Sequence, residues 1–224
     1  MKAFVCQSNW IPWRGYFAAI READIFVIYD NVQFSKGSWR NRNLVQYEDR
    51  KIWLTLPIQT GGKLGQLVDQ VKVSEKDWLV KQCRKINSYY RFSNHYENLE
   101  NLLLNPLEVI ADYDLLTEIN EYSLRLICEL LEIKTKIVRI DTGIVGASPT
   151  IKLIDTLEFL GVDNYLSGPS ARNYLVESEF NLKGIKLTYL DYEKIIDSND
   201  RFSIIDDLAR FKVMDVIKRS QFND

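Results

Sequence analysis

The chain opens on two short apolar runs separated by a spacer with helical character. Ala3-Phe4-Val5-Cys6 predicts a strand. Gln7 to Pro12 is polar and then turns, and Pro12 suits the first turn of a helix, where its missing N–H costs nothing. Trp13 to Ala23 reads as that helix. Ile25-Phe26-Val27-Ile28-Tyr29 is apolar on both faces, the pattern of a strand buried in a parallel sheet. A strand–helix–strand crossover of this length joins parallel neighbours.

Further along, Lys51 to Leu56 predicts a strand closed by Pro57, and Gln59 to Gly65 has the strongest loop composition in the chain. Asp69 to Val73 reads as a strand, and Ser74 as the cap of the next helix. Leu79, Cys83, Ile86 and Tyr90 recur at helical spacing, as do Leu115, Ile119, Tyr122, Leu126 and Leu130. A second parallel unit follows. Lys136 to Ile140 is a strand, Ser148-Pro149 caps a helix with the stripe Leu153, Ile154, Leu157 and Leu160, and Gly161 stops it. Asn164-Tyr165-Leu166 is the next strand, ending at Ser167-Gly168. Ile185, Leu187 and Tyr189 alternate as a strand with one wet face, and Phe202 to Ile217 reads as a terminal helix. The expected fold is a three-layer α/β domain over 1–224, with a mainly parallel, Rossmann-like sheet and an inserted or flanking helical part at about 75–131.

Composition narrows the function classes. Lysine plus arginine number 29 and aspartate plus glutamate 31, a net charge of −2, so no overall basic field holds duplex DNA non-specifically. No apolar run reaches the roughly 18 residues that span a bilayer, and the polar start does not read as a secretory signal. Three scattered cysteines (Cys6, Cys83, Cys128) read as reduced thiols in a cytoplasm. One histidine, His95, at a predicted helix start, and no Cys-x-x-Cys pair speak against a zinc site. A magnesium site built from carboxylates stays open.

In open parallel sheets, ligands bind outside the carboxyl ends of the strands. Those ends deliver Cys6, Gln7 and Asn9; Asp30, Asn31 and Gln33; and Ser167, Gly168, Ser170 and Arg172. Between 33 and 43 lies the densest chemistry. Lys36, Arg40 and Arg42 suit a phosphate or carboxylate, Asn41 and Asn43 supply amides, and Trp39 supplies a flat wall. The same stretch also fits a solvated loop whose arginines pair with Glu48 or Asp49. Asp30, after a buried strand, is the carboxylate suited to general-base work, with Gln7 and Asn41 polarising. A turn aspartate bonding its own backbone fits it as well. Cys6 reads more readily as a small buried thiol than as a nucleophile. Ser167 to Arg172 joins a strand to a short helix and can hold an anion, with Tyr174 beyond it, but is no Walker loop.

Several blocks resemble one family. Gln7-Ser8-Asn9-Trp10-Ile11-Pro12-Trp13-Arg14-Gly15-Tyr16-Phe17 is similar to the opening His-Gln-Pro-Asn-Tyr-Leu-Pro-Trp-Leu-Gly-Tyr-Phe of the WbqC-like family. Ala23 to Phe34, Ser38 to Asn43, Trp53 to Pro57, Tyr165 to Gly168, Tyr174-Leu175 and Ser203 to Asp206 resemble its further blocks in order. Cys6 stands where the family usually has His, and Ser8 where it has Pro. The resemblance implies bacterial surface-polysaccharide (O-antigen) biosynthesis and glycine transfer to the amino group of a nucleotide-linked or lipid-linked amino sugar. It leaves the donor open between glycyl-tRNA, through its acceptor end, and glycine activated by ATP. Two other readings stand beside it. One is an adenylate-forming, nucleotidyl-transferase-like enzyme, suggested by a loose similarity of Leu166 to Leu175 to pantothenate synthetase but lacking its HxGH signature. The other is a non-catalytic sugar-nucleotide binder.

Overall fold

In a computed structural model, residues 1–59, 61, 65–140, 148–195 and 201–223 are described. Residues 60 and 62–64 of the loop-rich stretch 59–65, and Ile140's immediate continuation from 141, therefore lie outside the described residues. The expected opening unit forms: β1 (Lys2–Cys6), α1 (Arg14–Arg21) and β2 (Ile25–Ile28). The chain then builds a separate hairpin, β3 (Arg42–Tyr47) and β4 (Arg50–Thr55). A helical flank follows, with α2 (Trp78–Tyr90), α3 (Tyr96–Leu99) and α4 (Leu116–Leu130). The second parallel unit is β5 (Lys136–Arg139), α5 (Pro149–Phe159), β6 (Asn164–Ser167), α6 (Glu177–Leu182) and β7 (Lys186–Tyr189). Two short helices, α7 (Ile204–Arg210) and α8 (Val213–Arg219), close it.

The main sheet has the order β5-β2-β1-β6-β7, and every adjacent pair is parallel. Alternation along its central strands splits the core. Phe4, Phe26 and Ile28 pack under α1, α2, α4 and α7, whereas Ala3, Val5, Ile25 and Val27 pack against α5 and α6. The protein is thus a three-layer α/β fold with a helical flank on one face. Among the described residues, no helix is long and apolar enough to cross a membrane.

The helix caps follow local chemistry where the sequence signals were complete. Ser148 Oγ accepts from the Ile151 N–H at 3.2 Å, Pro149 takes the first helical position, and Gly161 supplies φ +69° after α5. Other expectations fail for tertiary reasons. The stretch 69–73 is no ladder strand: a 3-10 turn spans Val68–Gln70, and Lys72 and Val73 make only isolated bridges to Leu115 and Ile58. The neighbours there offer single bridging residues rather than a strand edge. Helix α2 starts at Trp78 rather than behind Ser74, and Asp77 at its N-cap makes no side-chain cap bond. The buried apolar positions of α4 are Leu116, Ile119, Leu124, Ile127 and Cys128, so Tyr122, Leu126 and Leu130 lie at the edge of the apolar stripe. The terminal helix breaks at Phe211 and Lys212, both extended. That break lets Arg219 return to Asp207 at 3.0 Å and lie over the Phe211 ring at 4.2 Å.

Helix α7 also carries a buried acid. Asp206 accepts the Gln46 N–H of β3 at 3.0 Å and lies against Tyr90 without a well-formed hydrogen bond to it. Burial pushes its carboxyl up to about 7, although Tyr90, the Gln46 N–H and Arg210 all oppose the rise. An aspartate with a folded value above its unfolded one, about 3.9, binds more protons folded than unfolded between those values. Its contribution to stability is therefore most favourable at or below about pH 4 and declines as pH rises towards 7. Asp206→Asn keeps the acceptor for Gln46 and removes the titration. Parallel denaturant titrations should show the variant gaining on the wild type from pH 4 to pH 7. A pH-independent difference between the two would refute this assignment.

Candidate functional site

The sheet order makes β1 the strand at which the chain changes direction. From β1 it moves outward to β2 and β5, and later returns on the other side as β6 and β7. In such sheets the crevice at the carboxyl ends, between the diverging connections, is open to ligand. A cavity of about 500 Å³ lies there. Its floor includes Cys6 and Gln7 from the end of β1, Tyr29 from the end of β2, and Ser167 and Gly168 from the end of β6.

Eight of the sequence-selected residues meet in this cavity: Gln7, Asn9, Trp39, Arg40, Ser167, Gly168, Ser170 and Tyr174. Arg40 is held by the β1–α1 loop. Its Nη1 donates to the carbonyls of Gln7 at 3.1 Å and Ser8 at 3.3 Å, and to Asn9 Oδ1. These partners fix the guanidinium without neutralising it, because none is a carboxylate. Arg201 enters from the far side, its guanidinium 5.4 Å from the Trp13 ring centre. Neither arginine has a carboxylate partner among the described residues, and no aspartate or glutamate among them lines the cavity.

The walls are aromatic. Trp13 contacts Tyr192 edge-on at 5.3 Å. Its ring folds back over the first turn of α1, and Gly15 makes that possible, since a Cβ there would lie 2.2 Å from Trp13 Cη2. Burial raises the phenols of Tyr16, Tyr29, Tyr174 and Tyr192, so these walls are neutral. Burial also pushes the Cys6 thiol up, against the opposing pull of Arg40. Cys6 is a protonated floor residue, not a thiolate nucleophile. No group of three His, Cys, Asp or Glu among the described residues is arranged to hold a metal ion. The arrangement suits a ligand with a flat ring and more than one negative charge.

The remaining candidates sit elsewhere. Asp30 is 1% exposed and does not line the cavity. Its place after a buried strand predicts a carboxylate at the rim, with the arginines and asparagines of 40–43 as partners. Instead it accepts from the Ser8 N–H at 2.8 Å, the Ser8 hydroxyl at 2.6 Å and the Thr117 hydroxyl of α4 at 2.5 Å. The reason is alternation: Tyr29 turns into the cavity, so the next residue turns towards α4. Asn41 donates to the Leu56 carbonyl at 2.9 Å, and Asn43 donates to the Ile11 carbonyl at 3.1 Å. Both are buried. Gln33 and Lys36 are exposed, Arg42 lies over Trp53 at 4.0 Å, and Arg172 lies over Tyr189 at 4.3 Å. His95 takes the N-cap position of α3 without a side-chain cap bond.

Sequence reasoning missed Trp13, Tyr29, Tyr192 and Arg201 as cavity residues. The strand-end rule applied to β2 and β7 would have pointed to Tyr29 and Tyr192. Arg201 follows β7 by twelve positions and carries no local signal.

The family profile described as "WbqC-like protein family" matches residues 7–216. "Uncharacterized protein Rv1507c" of Mycobacterium tuberculosis is 32% identical over 192 residues, covering 86% of this chain and 83% of that protein. No solved structure matches significantly.

The geometry makes Asp30 the anchor of the loop that carries Gln7, Asn9 and, through them, Arg40. In Asp30→Asn, one carboxylate oxygen becomes an amide donor facing hydroxyl and N–H donors. A loss of at least about 1.5 kcal/mol in unfolding free energy is expected, the scale of one hydrogen bond to a charged group. Ligand affinity of the folded fraction should fall with it, because Arg40 loses its fixed seat. Denaturant unfolding beside binding titrations checks this. Unchanged stability together with a 10²–10⁴-fold loss of turnover, the scale for removal of a general base, would instead return Asp30 to that role.

Proposed function

The chain belongs to the WbqC-like protein family, and from that premise we propose that it is a glycyl transferase acting on the amino group of a nucleotide-linked amino sugar in surface-polysaccharide synthesis. The observation that carries this reading is the cavity at the strand ends, with its aromatic walls and two guanidiniums that have no carboxylate partner among the described residues. A nucleoside diphosphate linked to a sugar has the matching parts. The base is a flat ring for Trp13 and Tyr192, and the pyrophosphate is a doubly charged anion for Arg40 and Arg201. The sugar then faces the floor at Gln7, Ser167 and Ser170.

The chemistry asked of the site is modest. The neutral amine of the sugar attacks the activated carbonyl of glycine, the amide bond forms, and the leaving oxygen takes the amine's proton. The protein's part is to hold two reactants together and to offer donors to the developing oxyanion. Gln7 is suited to the second task. Its backbone carbonyl is fixed by the Tyr16 hydroxyl at 2.8 Å as well as by Arg40, and the residue lines the cavity. Asp30, Asn41 and Asn43 act as positioning residues for the loops that carry Gln7 and Arg40.

Incubation with a panel of uridine and thymidine diphosphate amino sugars, supplied with glycyl-tRNA or with glycine and ATP, should give an N-glycylated sugar nucleotide. Tight sugar-nucleotide binding without product from either donor would favour a non-catalytic binder. Glycine-dependent exchange of pyrophosphate into ATP would favour an adenylate-forming enzyme. Arg201→Ala should weaken sugar-nucleotide binding by roughly ten-fold or more, the scale of a charge-assisted hydrogen bond. Its melting temperature should stay close to that of the wild type, since Arg201 is exposed. Unaltered affinity in a folded Arg201→Ala protein would remove the pyrophosphate assignment.

A further inference from the structure

The hairpin beside the cavity has two unlike faces. Asn43, Val45 and Leu54 are buried against the core. The register pairs Arg42 with Thr55, Leu44 with Trp53 and Gln46 with Lys51 on the other face. Trp53 is 40% exposed there, and Trp39 from the preceding loop is 39% exposed. Their ring centres are 5.2 Å apart with planes inclined at 50°. The Arg42 guanidinium lies 4.0 Å over the Trp53 ring. Gly37, at φ +74°, leaves room for it, since a Cβ there would stand 3.2 Å from Arg42 Nη2.

This cluster is continuous with the cavity, because Trp39 also lines the cavity mouth beside Arg40. It is positively charged. From 36 to 51 the chain carries five cations, Lys36, Arg40, Arg42, Arg50 and Lys51, against Glu48 and Asp49. Arg42 has no carboxylate partner among the described residues; its contact is the Trp53 ring. The inner face already packs the hairpin, so two half-exposed indoles are not needed on the outer face for folding. Aromatic surface left in water beside the Arg42 guanidinium suits a binding surface. Stackable rings interleaved with cations suit single-stranded nucleic acid, whose bases stack while its phosphates are neutralised. The patch is too short and the whole chain too acidic to hold a long duplex.

We propose that the Trp39–Trp53–Arg42 track seats the single-stranded 3′ end of an aminoacylated RNA and brings its glycyl ester to the cavity mouth. This rests on the transferase reading of the cavity. The sugar amine attacks the ester carbonyl, the bond from that carbonyl to the ribose oxygen breaks, the amide forms, and the ribose hydroxyl is restored with the amine's proton. No further co-reactant is required.

The test uses the full chain and three probes: an RNA minihelix ending in single-stranded CCA, the same minihelix with a blunt end, and uridine diphosphate as the cavity ligand. Fluorescence anisotropy should show the CCA-ended minihelix binding at least ten-fold tighter than the blunt one. Trp53→Ala should weaken that binding by roughly 5- to 100-fold, the range for loss of one base stack. Arg42→Ala should weaken it and lower the salt dependence by about one ion. Both variants should keep wild-type affinity for uridine diphosphate, which also shows that they are folded. Equal binding of the two minihelices, or RNA binding untouched by Trp53→Ala, would overturn the proposal. So would Trp53-dependent binding of a neutral oligosaccharide in place of RNA. Loss of uridine diphosphate binding in the wild type, with RNA binding intact, would instead count against the cavity reading alone.

Discussion

The segment between β1 and α1 runs through the interior, and every polar group of its backbone has to be matched there. Ser8, Asn9, Trp10 and Ile11 are all buried, and Ile11 is held at φ +41°, an unfavourable conformation for a β-branched residue. An unpaired buried N–H or carbonyl costs about as much as a lost hydrogen bond. Partners come from distant parts of the chain. Asp30 takes the Ser8 N–H, the Trp10 N–H reaches the Arg40 carbonyl at 3.1 Å, and Asn43 bonds the carbonyls of Trp10 and Ile11. The Ser203 hydroxyl donates to the Ile11 carbonyl at 2.7 Å, and the Ile204 N–H donates to the Pro12 carbonyl at 2.9 Å. Sheet, hairpin and C-terminal helices therefore close around one loop.

The same requirement builds the site. Arg40 is placed by the carbonyls of Gln7 and Ser8, so satisfying the loop also points a guanidinium into the cavity. The helical flank joins in through α4. Asn120 donates to Ser8 Oγ at 3.1 Å and to the Arg40 carbonyl at 2.9 Å, and Thr117 completes the shell of Asp30. Helix α4, although remote in sequence from the strand ends, thus supports the loop and the Arg40 backbone beside the cavity. A change in α4 is thereby coupled to the geometry of Arg40 through two hydrogen-bonded layers.

The distribution of charge follows the same division. Two buried carboxylates are engaged in the interior. Asp30 serves Ser8 and Thr117, and Asp207 takes the buried Arg14 at 2.9 Å together with Arg219. The ion group of Arg14, Asp207 and Arg219 joins α1 to α7 and α8. Breaking such a buried group strands a charge, so it fixes how the C-terminal helices dock. The chain carries a net charge of −2, yet among the described residues the cavity is lined by Arg40 and Arg201 and by no aspartate or glutamate. Whole-chain charge describes behaviour towards long polyanions, whereas the cavity's field is set by the charged side chains that line it.

Local patterns in the chain determined much of the sheet. The doubly apolar run 25–29, the Ser148-Pro149 cap, the stop at Gly161 and the strand ending at Ser167 are each short-range signals, and all four appear in the structure, the first as a strand over Ile25–Ile28. Placing ligands at strand ends also singled out Gln7, Asn9 and the 167–170 turn, which line one cavity. What the sequence could not settle was which of two adjacent side chains turns where. Tyr29 and Asp30 differ by one position, and only the packing of α4 beneath β2 decided that the ring faces the cavity and the carboxylate faces Thr117. The hairpin strand 42–47 was equally hidden. Its alternation mixes Asn43 with Val45 on the inner face, and an asparagine reads as core only when the buried carbonyls of Trp10 and Ile11 are present to receive it. Propensity and periodicity act over a few residues. The partners of a buried polar group, and hence the shape of the cavity, are set by segments from 22 to 192 residues apart, which only the tertiary structure brings together.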